Sequence, residues 1–238
     1  MPNALTHERP MRSRRALLLG ATGLTGSHLL SRLIADHRYR RIHVLSRRSL
    51  PMRDDRLYTH VVDFDHIAPQ HEAFRVDDVY CCLGTTIRQA GSRERFQQVD
   101  YRYVMRIARA AQAAGAETFV VISALGADSR SSSFYLRTKG ELERDLEGLS
   151  FRHLVIVRPS LLVGRRDTRR LLEGVGMWIL PKLTWLMQGP LKPYRAIAAD
   201  VVAGAMHRLA WQDETGTQVV ISDELQMPGD AGREPTDD

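Results

Sequence analysis

Cysteine is nearly absent: the 238 residues hold two, Cys81 and Cys82, and these are neighbours. Adjacent thiols in an apolar run cannot build a disulfide framework, which excludes the small cross-linked secreted domains. They read as small buried hydrophobes in a reducing compartment. Also lacking is any apolar run approaching the ~20 residues of a membrane span. The basic N-terminal stretch MPNALTHERPMRSRRALLLGATG offers only ALLL before its glycines. That is too short for a signal-peptide core and is better explained as a first strand, so the expected location is the cytoplasm. Internal repeats and interior low-complexity linkers are missing too. One domain, spanning 1–222, is therefore the simplest organisation for a chain of this length.

What is present fits a soluble globular protein, since 43% hydrophobic and 26% charged residues suffice for a core and a solvated surface. The net charge of +6 is carried largely by arginines in RR pairs. Such an excess speaks of solubility and weak polyanion attraction more than of a site, and nucleic acid is not the expected partner. The last stretch, SDELQMPGDAGREPTDD, is polar, acidic and Pro/Gly-rich, and residues 223–238 are expected to form a flexible tail.

Short apolar runs alternate with helical patterns throughout. The strand candidates are 15–20, 41–45, 57–62, 78–83, 118–123, 152–157 and 217–222; helical patterns occupy 24–36, 93–114, 133–147 and 196–210. Near-continuous apolar strands alternating with helices predict an α/β fold, a doubly wound parallel sheet of about seven strands covered on both faces. Residues 164–193 break the alternation with Gly, Pro, Trp178, Trp185, Met177 and Met187. A helical insertion on the substrate side fits them, covering a cleft or making a homodimer contact; equally, they could complete the core. Arg165, Arg166, Arg169 and Arg170 offer either a basic face for an anionic substrate or an ordinary solvated face.

The first strand runs into LLLGATGLTGSHLL, which places Gly20, Gly23 and Gly26 at a strand–helix junction. In a G-x-x-G-x-x-G turn the first glycine permits the tight bend. The second lets the backbone approach a pyrophosphate, and the third allows close helix–strand packing. The helix N-terminus then offers free N–H donors and a positive dipole end to phosphates. A preference for NAD would place a carboxylate at the end of the second strand. The sequence there reads VLSRRSL, with Ser46, Arg47 and Arg48 instead. Two guanidiniums can hold a 2′-phosphate, so NADP(H) is expected over NAD(H); the bland alternative is two solvated loop arginines. After the third strand, Asp63 stands where an adenine amino group could be bound. His60, Asp63, Asp65, His66 and His71 match no standard zinc spacing, and no metal site is expected.

Tyr135 and Lys139 are four apart in a helical pattern and so share a face. Alone they could be ordinary residues on a half-buried helix. With a dinucleotide beside them they can be a proton donor and its partner. A phenol ionises near ~10, and an adjacent ammonium favours the phenolate. Ser123, at the end of the fifth strand and twelve residues earlier, could orient a carbonyl oxygen.

Taken together, GATGLTG (20–26), SRR (46–48), DFD (63–65), CCLGTT (81–86), VISALGAD (121–128), YLRTKGE (135–141) and VRPSLLVG (157–164) resemble an atypical, extended-like short-chain dehydrogenase/reductase. The resemblance runs from about residue 14 to 210 and points to the NAD(P)-binding family that includes the Tat-interacting oxidoreductase-like proteins. It implies that Gly20, Thr22, Gly23 and Leu24 cradle the pyrophosphate. Ser46, Arg47 and Arg48 would meet the 2′-phosphate, and Asp63 with Phe64 would flank the adenine. Leu83, Gly84 and Thr85 would line the dinucleotide beyond the fourth strand, and Pro159, Ser160, Leu161 and Leu162 its nicotinamide end. Tyr135, Lys139 and Ser123 become the catalytic triad, with the lysine also holding the nicotinamide ribose.

Two positions depart from that pattern: Ala124 follows Ser123 where many relatives carry a second serine, and Asp100 stands where extended relatives often have asparagine. The expected activity is NADPH-dependent reduction of a small or medium carbonyl or enone substrate. The alternative is an NADPH-binding sensor with little turnover.

Overall fold

Strand β1 (Arg14–Leu19) alternates its side chains between two separate cores. Leu17 and Leu19 enter one, and Ala16 and Leu18 the other; all four are fully buried. A strand apolar on both faces must be covered on both, which is the condition for a central strand of a parallel sheet. The computed structural model describes residues 13–163 and 196–225. The helical segment expected at 164–193 lies outside the described residues.

All seven expected strands form, each within about two residues of its apolar run. They are β1, β2 (Tyr39–Ser46), β3 (Leu57–Val61), β4 (Asp78–Cys81), β5 (Thr118–Ile122), β6 (His153–Arg158) and, last in the chain, β9 (Gly216–Ile221). Every pairing is parallel and the order is β3-β2-β1-β4-β5-β6-β9. From β1 the chain winds outward through β2 and β3, then returns to the other side at β4. That reversal opens a crevice at the carboxyl ends of β1 and β4, the place where open α/β sheets receive ligands. A pair too short to read from the sequence, β7 (Leu162–Val163) and β8 (Ile197–Ala198), forms a separate two-stranded sheet.

Helix α1 (Leu24–Ala35) covers one face of the large sheet through Leu29, Leu30 and Leu33. Beside it lies α6 (Ala199–Leu209), with Val202, Ala203 and Met206. Helices α4 (Val104–Ala113) and α5 (Phe134–Glu147) cover the other face through Ile107, Ala108, Leu142 and Leu146. Burying each such leucine or isoleucine contributes roughly 1.5–3 kcal/mol. Short helices α2 (Ile87–Ala90) and α3 (Arg93–Gln97) follow β4.

The helical pattern expected as one element over 93–114 is instead α3, a six-residue π-turn at Gln98–Tyr103, and α4. Periodicity at 3.6 residues cannot register such a widened turn, and π-turns favour functional positions. Structure also extends past the boundary expected for the tail. Asp223–Leu225 belong to helix α7 (Ser222–Leu225), and Leu225 is buried in the core.

Helix α5 begins at Ser133, whose hydroxyl accepts the Leu136 N–H. It lies so close to the preceding loop that a Cβ at Gly140 would stand 2.2 Å from the Asp128 carbonyl carbon and the Ser129 nitrogen. Both obstacles are backbone, so relief requires the helix to move. Gly140→Ala is expected to lower the melting temperature by roughly 5–10 °C. Gly148→Ala, at an ordinary helical backbone angle with contacts no shorter than 3.5 Å, should change it little. Equal melting points for the two variants, read by thermal denaturation, would contradict the close docking of α5.

Candidate functional site

The turn between β1 and α1 is built as the glycine spacing predicts. Gly20 has a φ of +76°, and a Cβ there would lie 2.4 Å from the Cys82 carbonyl oxygen at the end of β4. A Cβ at Gly26 would lie 2.1 Å from the Gly20 oxygen, so α1 packs directly on the turn. The Gly23 N–H closes the bend onto the Gly20 carbonyl at 2.8 Å. Helix α1 begins with no side-chain cap and no acidic residue in its first turn, which leaves its positive end to an incoming anion. The Thr25 hydroxyl, in that same turn, is buried without a hydrogen-bond partner among the described residues.

Above this turn opens a cleft of about 1140 Å³. It gathers most of the residues singled out from the sequence: Thr22, Gly23 and Leu24 from the glycine turn, and Leu83, Gly84 and Thr85 after β4. Ser123 comes from the end of β5, Tyr135 and Lys139 from α5, and Pro159 through Leu162 from the loop after β6. Backbone bonds hold these loops together: the Ser123 N–H donates to Val157 at 2.7 Å, Leu125 to Pro159 at 3.0 Å and Cys82 to Leu19 at 3.0 Å.

Six expected residues are not among those lining the cleft. Gly20 lies beneath it as the turn's hinge. Ser46 ends β2, and its hydroxyl accepts the Arg48 N–H at 3.3 Å, while Arg47 and Arg48 project into solvent at that same carboxyl end of the sheet. The Asp63 carboxylate is engaged within its own turn, accepting the Asp65 N–H and pairing with His66 at 2.7 Å. The Phe64 ring is buried in the core against Tyr103. Conversely, Thr25, Cys82, Thr86, Gln89, Asp100, Ile122, Ala124 and Leu125 also line the cleft. Thr25, Cys82, Thr86, Ile122, Ala124 and Leu125 already lie inside the motifs quoted above, beside the residues given roles, whereas Gln89 lies outside them.

Lys139 is the electrostatic centre. Only 4% exposed, it stands with Nζ 2.7 Å from the Oδ1 of Asp100, itself 1% exposed. Burial alone would lower the lysine's pKa, but the Asp100 carboxylate and the neighbouring Tyr135 outweigh it, and the ammonium is held above the usual lysine range. Tyr135 is partly exposed to the cleft, its ring 5.5 Å from that of Phe96. The Ser123 hydroxyl is buried and has no hydrogen-bond partner among the described residues. An orphaned buried hydroxyl is costly unless something else completes it, and a substrate oxygen is of the right kind. The Cys81 thiol, deep in β4, is pushed by burial up to about 12 and stays protonated.

The residues therefore fit a dinucleotide: a glycine turn without side chains, an uncapped helix end, an unpartnered hydroxyl facing each region and a cleft of suitable size. Comparison with known proteins agrees. The NAD dependent epimerase/dehydratase family matches residues 16–221. FMP52 of Candida glabrata, a protein named as mitochondrial, is 39% identical over 163 residues, 66% of this chain and 68% of that one. HTATIP2 of Rattus norvegicus is 35% identical over 182 residues, 75% of this chain and 73% of that one. Among solved structures, MoeE5 in complex with UDP-glucose and NAD superposes with a TM-score of 0.65 at 18% identity, covering 89% of this chain and 79% of that one. At that identity the likeness speaks for the fold alone. The sheet order, the glycine turn and the family match lead to one conclusion: the chain belongs to the NAD dependent epimerase/dehydratase family, as a relative of HTATIP2 and FMP52.

Proposed function

We propose that the protein is an NADPH-dependent reductase of a small or medium carbonyl or enone, acting through Ser123, Tyr135 and Lys139. The observation that carries this reading is the convergence of those three side chains on the cleft that the glycine turn floors, with the Ser123 hydroxyl unpartnered there. NADPH supplies the hydride when bound. Ser123 donates a hydrogen bond to the carbonyl oxygen and stabilises the charge that develops on it. Tyr135 gives its phenolic proton to that oxygen as the alkoxide forms. Lys139, held charged, favours the resulting phenolate and has further N–H donors for the nicotinamide ribose.

The preference for NADPH is supported by Arg47 and Arg48, exposed just past β2 where a carboxylate would favour NAD. The free thiols fit a reducing compartment. No helix among the described residues is long and apolar enough to cross a membrane. The cytoplasmic placement rests on composition, and the FMP52 relatives differ from it in being named mitochondrial.

Fluorescence titration should show tighter binding of NADPH than of NADH. Each charge-assisted bond to a 2′-phosphate is worth about 1.5–3 kcal/mol. Arg47→Ala or Arg48→Ala should therefore weaken NADPH about ten- to a hundredfold and leave NADH nearly unchanged; equal affinities in the parent would remove the arginine assignment. A carbonyl and enone panel followed by NADPH consumption tests turnover. Tyr135→Phe should lower kcat about 10²–10⁴-fold with cofactor affinity retained. If that variant matches the parent, or the parent consumes cofactor with no substrate, the NADPH-binding sensor replaces the reductase.

A further inference from the structure

The loop after β6 lines the cleft through Pro159, Ser160, Leu161 and Leu162, and its backbone is held from three sides. From the β5 side, the Leu125 N–H donates to the Pro159 carbonyl at 3.0 Å; from β8, the Ile197 N–H donates to the Leu161 carbonyl at 2.9 Å. Both are bonds between backbones. The third is not. The pairing of β6 with β9 ends where Arg158 stands opposite Ile221, and Pro159 has no N–H to extend it. The next donor, the Ser160 N–H, meets a side chain instead: the Ser222 hydroxyl oxygen accepts it at 2.6 Å. Ser222 is fully buried at the start of α7. The Glu224 carboxylate steadies that junction by accepting the Ile221 N–H at 3.0 Å. A hydroxyl from the far end of the chain thus continues the sheet's hydrogen bonding up to the edge of the cleft. Alanine at 222 would deprive the Ser160 N–H of this acceptor.

We propose that Ser222 is a positioning residue of the cofactor site, acting through the Ser160 backbone: it sets the loop after β6 against the nicotinamide. This rests on the reading of the cleft as an NADPH site whose nicotinamide end is Pro159–Leu162. Ser222 is not among the residues that line the cleft, so its influence passes through Ser160. The glycine turn and the Arg47–Arg48 pair lie at β1 and β2, separated from β6 and β9 by β4 and β5. Removing the Ser222 hydroxyl should therefore be felt at one end of the dinucleotide only.

Calorimetric titration of the full chain separates the two ends. NADPH is one probe; the other is 2′-phospho-ADP-ribose, the same nucleotide without its nicotinamide ring. Ser222→Ala should weaken NADPH about tenfold and leave 2′-phospho-ADP-ribose within about twofold of the parent. Unchanged NADPH binding overturns the proposal. So does an equal loss for both probes, which is what a general loosening of the fold would give. A parent that holds both probes equally well has no berth for the nicotinamide beside this loop; the reading of the cleft then fails, and this inference with it. Should Ser222→Ala fail to fold, amide hydrogen exchange in the parent decides. NADPH should slow exchange at the Ser160 N–H about tenfold more than 2′-phospho-ADP-ribose does, and equal slowing by the two overturns the proposal.

Discussion

The backbone contact between the β1–α1 turn and its surroundings is the constraint on which everything else rests. Gly20 presses on the Cys82 carbonyl at the end of β4, and Gly26 presses on Gly20. Three elements therefore meet without any side chain between them. This closeness brings the uncapped N-terminus of α1 to the crevice between β1 and β4. A side chain at either glycine would separate helix from strand, and the uncapped end of the helix would no longer face the cleft. The parallel sheet supplies the crevice, and the missing Cβ atoms let the turn and the helix pack directly at its edge.

A second constraint comes from burying an ammonium. Lys139 lies on the inward face of α5, where burial opposes its charge, and a lone buried cation would neutralise itself. Asp100 answers that problem from a turn 39 positions earlier in the chain. The π-turn that carries it lies between α3 and α4 and holds the carboxylate buried beside the lysine. Local irregularity in the backbone and local charge in the cleft are thus two sides of one arrangement.

The layered architecture was legible because it rests on periodicity and on short, local motifs. Seven apolar runs became seven strands, and the glycine triplet stood at the junction its spacing required. Ser123, Tyr135 and Lys139 reached a common cleft, because each sits at the end of a strand or on a helix whose direction the sheet dictates. What could not be read depends on contacts remote in sequence. Asp100 was visible as an odd residue, but nothing near it names Lys139 as its partner. The direction of the Phe64 ring, which turns into the core, was not legible either, since an aromatic next to two aspartates looks the same in sequence whichever way it turns. The strand pair of Leu162–Val163 and Ile197–Ala198 is too short to leave a periodic signal.

Buried charge alone does not mark the site, and a second cluster at the opposite end of the sheet shows why. Asp78, also 1% exposed, lies at the amino end of β4, and burial raises its carboxyl above the usual range. Tyr39 donates to it at 2.7 Å, Tyr39 and Tyr80 share a bond at 2.8 Å, and Arg14 reaches it at 3.3 Å while its guanidinium lies over Trp211. There the charges and hydroxyls satisfy one another inside the fold, which makes the cluster a closed structural joint. At the carboxyl end, by contrast, the Asp100–Lys139 pair borders an open cleft, and the hydroxyls of Ser123 and Thr25 are left without partners. Both ends carry perturbed groups; at the carboxyl end, among the described residues, unpartnered hydroxyls border a space large enough to receive a molecule.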